Sequence, residues 1–525
     1  MNIPFTQAGI GSKLFHDYLA GKLPADLFSY PASAAGISEA VRERRSRPVD
    51  RELLVARLYS QYGDTELHAA VKANIETLRN PNTFTVTTGH QLCIYTGPLY
   101  FIYKIVSAIR LARQISEQDD VHVVPVYWMN SEDHDFEEIS HFYFLNRKFE
   151  WTPGEATGGP VGRMSTAGLA EIPDEIRTSF TNLDQYAEIF SVFREAYSGS
   201  KNLAEATRRI ANQLFGEHGL VIIDQDDAEL KRSFLDIIRK DITGHASHRL
   251  VSETITRLES EGYTAQVKPR EINFFYLGKG RRERIVQENG GYATVEKTVT
   301  WTPEELEREL SEDPGRFSTN VVTRPLYQEF ILPNLAYIGG PAEVHYWLQY
   351  RTMFSHYNIF FPALIMRDSF LLVHPKTMAK AAKLNLSLDD FFADEQEIIR
   401  KYLAGSDQPE TALDDEAAKL GEIFATVRSK ASAVDKTLEG MVNAEEQKML
   451  NALRSVEARI LKALRQKNDQ QVQSIRDIRS KIYPDGAFQE RRDNFLTYTA
   501  RPAEFISSLL SKADPLQPVV KIEEL

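Results

Sequence analysis

The sequence predicts an α/β protein built on a mostly parallel sheet, with a long α-helical arm attached. Three observations carry that prediction. Short β-branched or apolar runs alternate with amphipathic helical stretches, those runs end in glycine-rich or acidic turns, and a late segment keeps an apolar residue at every seventh position while losing glycine and aromatics. A chain of 525 residues exceeds what one small core supports, so two or three structural units are expected. Hydrophobic residues at 42% and charged residues at 26% are globular values, and no apolar run approaches the roughly 18 residues of a membrane span. The N-terminus, MNIPFTQAGIGSKLF, lacks a basic segment followed by a long apolar one, so a cytoplasmic location is expected. A formal net charge of -12 argues against nucleic acid as a main partner but admits small anions where basic residues gather. The single cysteine, Cys93, excludes an internal disulfide and a cysteine-based zinc cluster, and its apolar context suits a buried thiol.

The first eighty residues read as helical scaffold, with DRELLVARLYSQY and ELHAAVKANIETL placing apolar residues at helical spacing. FTVTTGHQ then reads as a strand, and PLYFIYKIVSAIRLARQI as a helix in which Leu99, Ile102, Val106 and Ile109 recur three or four apart. VHVVPVYWM has the length and apolarity of a strand buried on both faces, and it runs directly into the acidic NSEDHDFEEI. LVIID followed by QDDAELKRSFLDIIRKDI repeats strand then helix, and NIFFPALIM and RDSFLLV supply later strands. The Gly, Pro and Thr content of EWTPGEATGGPVGRMSTAGLAEIPDE marks an insertion, a small subdomain or lid around residues 150–210. The core is expected over 1–386, the helical arm over 387–482, and residues 483–525 are expected to pack back on the core. In the arm, Leu413, Leu420, Val427, Val434 and Met441 fall seven apart, and no proline occurs between Pro409 and Pro484. Gly440 and Asn443 suit a bend between two antiparallel helices; an intramolecular hairpin and a dimerisation arm both satisfy the heptads.

Open parallel sheets bind ligands outside the carboxyl ends of their strands, so the turns after the predicted strands hold the candidate site. Thr88, Gly89 and His90 follow the first strand, a pattern compatible with the phosphate-contacting T/H-x-G-H turn of class I nucleotidyltransferases. Gly89 lets a ligand approach the backbone, and His90 can donate a hydrogen bond to developing phosphate charge. Thr96 or Gly97 suits a helix cap and Pro98 the first helical position, leaving amides free to face an anion. Gly339 and Gly340 before Pro341 repeat that device. Glu132, Asp133, His134 and Asp135 offer oxygen ligands for magnesium and a proton acceptor, without the H-E-x-x-H spacing of a zinc hydrolase. Lys104, Lys279, Arg281, Arg282 and Arg324 are available to balance an anionic substrate, and HPKTMAK carries Lys376 and Lys380 in a form superficially like the lysine loop of class I synthetases.

TTGHQLCIYTGPLYFIYKIVSAI, VPVYWMNSEDHDFEEI, FSTNVVTRPLYQEFILPNLAYIGGPAEVHYWLQY and YPDGAFQERRDNF, in this order and at these spacings, resemble the cysteine-adding enzymes of bacillithiol biosynthesis, the BshC family. The resemblance extends over essentially the whole chain. It implies a Rossmann-like core with connecting insertions, a coiled-coil arm, a homodimer, and a ligase that joins the carboxyl of L-cysteine to the amine of glucosaminyl malate. Carried over by motif are Gly89, Gln91, Thr96, Gly97, the Glu132 to Asp135 run, Arg324, Gly339, Gly340 and Glu343, with Tyr100 and Lys104 in the same first segment. His90 departs from the T-G-Q-Q that the family often reads, and glutamine cannot shuttle a proton. A carboxylate is a poor electrophile, so ATP is the expected activator, with Mg²⁺ held partly by Glu132 or Asp133, and His134 or Asp135 taking the proton of the attacking ammonium. Another ATP-dependent amide ligase or nucleotidyltransferase would use the same strand ends, and a non-catalytic coiled-coil scaffold would keep only the arm.

Overall fold

A computed structural model describes residues 2–405 and 413–525; Pro409, and with it positions 406–412 of the expected arm, lies outside them. The chain divides into two compact units, one of Met1–Leu371 with Gln489–Glu523 and one of Leu372–Phe488 with Glu524–Leu525.

The first unit is organised by a five-stranded sheet of β1 (Thr83–His90), β2 (His122–Met129), β3 (Val221–Asp224), β4 (Asn334–Gly339) and β5 (Ala363–Met366). Its spatial order is β5-β4-β1-β2-β3, and every pairing is parallel. This is the α/β core that the alternating pattern predicts. β1 runs through Thr88, Gly89 and His90 rather than ending before them, because Gly89 and His90 pair with Trp128 and Met129 of β2. Its threonines are buried in the sheet: Thr85 and Thr87 donate to the Asn334 side chain, and Thr88 donates to the Ile338 carbonyl at 2.9 Å. Side-chain partners of this kind let a β-branched polar residue occupy a central strand without a desolvation penalty.

Between β1 and β2 runs α1 (Tyr100–Gln118), whose Ala108, Leu111, Ala112 and Ile115 join Phe84, Val86, Leu335, Ile338 and Ile365 in one buried apolar cluster. Burial of such side chains contributes about 1.5–3 kcal/mol each. The same cluster takes in Ile37 and Val41 from one of four helices that fill the N-terminal region, as the helical spacing there predicts. A second sheet of five antiparallel strands lies between β3 and β4 in the chain, with Phe274–Gly278, Arg281–Glu288 and Phe317–Thr319 among its members. The sequence reading found no strand there, only the basic run of Lys279, Arg281 and Arg282 that could balance an anionic substrate. The C-terminal strand Val519–Glu524 pairs antiparallel with Asn2–Pro4.

In the second unit, the long helices are Asp414–Val434, Leu438–Lys467 and Asp469–Ile482. The first two form an antiparallel hairpin, and their turn falls at 435–437 rather than at Gly440 or Asn443, both of which lie inside the second helix. Asp435 accounts for the difference: its backbone is extended and its side chain accepts the Thr437 amide at 2.8 Å, a local turn that breaks the helix without glycine. Much of the heptad stripe stays open, with Val427, Val434 and Met441 exposed. Lys380, in the lysine-bearing segment, pairs with Asp477 of the same unit at 2.9 Å. No described helix is long and apolar enough to cross a membrane.

Candidate active site

Strand ends converge on one cavity. The residues that directly follow β1, β2, β3, β4 and β5 are Gln91, Asn130, Gln225, Gly340 and Arg367, and all five line a cavity of about 320 Å³ at the carboxyl edge of the sheet. That is where a parallel sheet places a ligand, because the loops leaving its strands splay apart there.

Of the residues predicted from sequence, Gly89, His90, Gln91, Tyr100, Lys104, Asp133, Arg324, Gly340 and Glu343 line the cavity. Thr88 is committed inside the sheet, and Gly339 ends β4, where a side-chain carbon would come within 3.2 Å of Glu343 Cβ. Thr96 and Gly97 belong to a packing joint instead. Tyr95, Thr96 and Gly97 all take left-handed backbone angles, and a Cβ on Gly97 would fall 2.5 Å from Cys93 Cβ. The Gly97 amide donates to Ile94 and the Leu99 amide to Asp493, while Asn494 donates to the Tyr95 and Gly97 carbonyls. These amides are spent on the fold and do not face an anion. The Gly340 amide is likewise taken, at 2.9 Å, by Glu343 Oε2.

Charge in the cavity is sorted by pairing. Lys104 is buried, donates to the Gly89 carbonyl at 2.7 Å and meets Glu343 Oε2 at 2.5 Å. Burial alone would raise the Glu343 carboxyl, but Lys104, the Gly340 amide and the Tyr337 hydroxyl outweigh it and hold the group below its usual value. Burial also pulls Lys104 down; three donors converging on Glu343 make the pair ionic all the same. Arg282 enters from the antiparallel sheet with its guanidinium 4.2 Å over the Phe275 ring, donates to the Thr319 carbonyl and to His134 Nδ1 at 2.8 Å each, and lies 3.6 Å from Asp133. Because a guanidinium can only donate, His134 uses Nδ1 as an acceptor and keeps its proton on Nε2. Desolvation works against the Asp133 charge, yet His134, Arg282 and Gln91 together hold its pKa far below the carboxylate range. Arg367 forms a two-bond fork with Glu490 at 2.8 and 2.6 Å, while its Nε is buried without a hydrogen-bond partner.

Arg324 differs from these. It is 6% exposed, its one protein hydrogen bond of ordinary length goes to the neutral Gln328 side chain at 2.9 Å, and among the described residues no carboxylate forms an ion pair with it. Burial disfavours its charge, but Tyr337, Tyr346, whose side chain also hydrogen-bonds it, and Glu343 more than compensate and hold its pKa above the usual value. A buried guanidinium without a counter-ion is a seat for an anion.

His90 is a neutral group. Its Nδ1 donates to the Gln91 carbonyl at 2.7 Å, its Nε2 is buried without a partner, and burial followed by the Lys104 charge pushes its pKa down to about 3. Glu132 turns away into the protein, fully buried against Lys231 and accepting from Ser318 at 3.1 Å. His134 and Asp135 are exposed and stand outside the cavity lining. With Glu132 tied to Lys231 and Asp133 to Arg282, the two carboxylates do not build a magnesium site, and among the described residues no group of three or more His, Cys, Asp or Glu is arranged to hold a metal ion.

Comparison with known proteins settles the family. The N-terminal Rossmann-like domain of bacillithiol biosynthesis BshC matches residues 1–368, and its C-terminal coiled-coil domain matches residues 370–525. The chain belongs to the BshC family. It is similar to proteins named "Putative cysteine ligase BshC" from Cytophaga hutchinsonii, at 38% identity over 96% of this chain and 95% of that one, and from Flavobacterium johnsoniae, at 39% identity over 98% of each. The Salinibacter ruber relative is 31% identical over 94% of this chain and 93% of its own. This BshC-family chain thus has the Rossmann-like core and coiled-coil domain that its motifs imply.

Several lining residues escaped the sequence reading, chief among them Asn130, Glu138, Gln225, Tyr346, Arg367 and Arg491. Three of them follow a strand immediately, so the rule that ligands meet the first residue after a parallel strand would have found them. Glu138 sits inside the acidic run already singled out, on the short helix Phe136–Ile139 that follows Asp133.

Proposed function

We propose that this chain joins the carboxyl of L-cysteine to the amine of glucosaminyl malate, forming an amide and giving bacillithiol. The single observation that carries the reading is Arg324, a buried guanidinium that, among the described residues, has no carboxylate in ion-pair contact, at the meeting point of five strand ends. Malate brings carboxylates that fit such a group, and Lys104, the other basic residue expected to meet them, is already taken by Glu343. Arg367 lines the same cavity, with its Nε–H buried and unpartnered, and adds a second guanidinium near an anionic ligand. Asp133, Glu138 and the Gln91 amide form a polar, acidic side suited to an ammonium.

ATP, bound as a co-substrate, supplies the leaving group that turns the cysteine carboxylate into an electrophile; magnesium would travel with its phosphates rather than in a cage of protein carboxylates. The chain's own groups bind and orient. Arg324 anchors the malate end, Arg282 fixes Asp133 and His134 at one wall, and the Glu343–Lys104 pair fixes the Gly340 turn at the other. A reaction that draws on ATP belongs in the cytoplasm. Incubating the folded protein with cysteine, glucosaminyl malate, ATP and magnesium should yield a product of the summed mass less one water, with AMP or ADP released in equal amount. No product from a chain whose folding is verified would refute the reading, and binding of no substrate at all would favour a scaffold.

The open heptad stripe of the arm suits a second copy of the chain, making a homodimer with the coiled coil as its interface. Sedimentation at micromolar concentration should then give twice the mass of one chain, and replacing Val434 and Met441 with glutamate should return it to one.

A further inference from the structure

We propose that Glu138 is the catalytic base that takes the proton of the attacking amine, and that Gln91 is the positioning residue that holds its carboxylate. The assignment rests on the amide-forming reading above.

An ammonium has no lone pair, so it must lose a proton before it can attack. Four acceptors line the cavity: Asp133, Glu138, Glu343 and the His90 ring. Their surroundings separate them. Asp133 has Arg282 beside it and accepts the His134 amide, and Glu343 accepts from Lys104, Tyr337 and the Gly340 amide, so in both the lone pairs are committed to donors. His90 keeps a free Nε2, but it is fully desolvated between the Tyr100 and Phe101 rings beside the Lys104 charge and resists becoming a cation. Glu138 alone among the lining carboxylates has no cation in ion-pair contact among the described residues.

Its placement suits proton transfer. Glu138 stands at the exposed rim, where an amine arriving from solvent passes and a captured proton can leave. The Gln91 amide donates to Glu138 Oε2 at 2.8 Å and to Asp133 Oδ2 at 3.0 Å, so one neutral side chain spans both carboxylates and fixes their separation. The groups facing Glu138 are Gln91 from the end of β1, Asp133 and Asp135 from its own segment, and Lys104 from α1, with Cys93 and Tyr100 neutral beside it. Partial desolvation first, then the two aspartates, raise its pKa against the opposing pull of Gln91 and Lys104. A carboxylate shifted that way is the better base, and two acids pushed in opposite directions by their neighbours are how a site divides labour.

The step balances as follows. One N–H bond of the ammonium breaks and its proton goes to Glu138, which frees the nitrogen lone pair. The lone pair forms the C–N bond at the activated cysteine carbonyl carbon, and the bond from that carbon to the nucleotide-derived leaving oxygen breaks with its electron pair. The second proton leaves the nitrogen to water at the open rim.

The test is steady-state kinetics of E138Q, E138D and Q91A beside the native chain, with pH profiles of kcat and a thermal melt of each. E138Q should lose about 10²- to 10⁴-fold in kcat with KM little changed, the range expected for removal of a general base. E138D should recover part of that loss. Because the group acts only when ionised and its pKa is raised, native kcat should fall with decreasing pH at a midpoint above the ordinary glutamate value of 4.5, and that limb should vanish in E138Q. In Q91A the limb should persist at a shifted midpoint with reduced kcat. An E138Q chain within threefold of native kcat, or one that keeps the native acid limb, overturns the assignment alone. A native chain that forms no amide overturns the functional reading and the assignment with it.

Discussion

Replacing Arg324 with glutamine is expected to lower kcat/KM for glucosaminyl malate by about 30- to 10³-fold, the equivalent of about 2–4 kcal/mol for a desolvated charge pair that can no longer form. The loss should appear mainly in KM, because the guanidinium binds the malate end and not the reacting carbon. The site explains why the effect should be large. Lys104, Arg282 and Arg367 each have a carboxylate of this chain in ion-pair contact, whereas Arg324, among the described residues, has only uncharged groups in direct contact, the Gln328 amide and the Tyr337 and Tyr346 side chains. Arg324→Lys should recover little, since an ammonium cannot reproduce a forked pair of hydrogen bonds. The fold should hold, because the partners lost are uncharged side chains and no ion pair among the described residues is broken; a melt within a few degrees of native would separate a binding defect from unfolding. Wild-type KM in the glutamine variant would show that the anion sits elsewhere.

Glu490→Gln should be the most destabilising single substitution considered, by about 3–5 kcal/mol, as when one partner of a buried pair is removed and the other charge is left stranded. Both side chains are 2% exposed, and Glu490 also accepts from Ser369 at 2.6 Å. The pair matters to the site as well as to stability, because the same Arg367 lines the cavity while being held from the far C-terminal segment. Urea unfolding should show a lower midpoint at unchanged slope. Replacing both partners with apolar residues of similar volume should be less harmful than Glu490→Gln alone. A single-variant loss below about 1 kcal/mol would mean that water reaches the pair, since exposed pairs are worth no more than that.

Much of the core was legible because it rests on local pattern. The run from Phe84 to Gln118 alternates strand and helix periodicity clearly enough to be read without a fold in hand, and VHVVPVYWM ends at the acidic segment where β2 ends. Glycines were harder to read. Gly97 looked like part of an anion-binding helix start, but what requires glycine there is the left-handed turn packed against Cys93, a contact made across the turn that no propensity encodes. The acidic run was likewise split by tertiary structure: Glu132 points into the protein toward Lys231, Asp133 faces the cavity, and His134 and Asp135 face solvent. Adjacent residues in an irregular segment have no fixed period, so spacing cannot assign their directions. Arg367 became a site residue only through long-range convergence, from the end of β5, whereas Arg282, named from the sequence among several basic residues, is singled out by its strand's approach to the cavity.

The most direct measurement is a crystal structure of this protein with glucosaminyl malate bound. A malate carboxylate about 3 Å from the Arg324 guanidinium, with the amine turned toward Glu138 at the rim, is the predicted result. Ligand bound away from the five strand ends, with no carboxylate on Arg324, would contradict it.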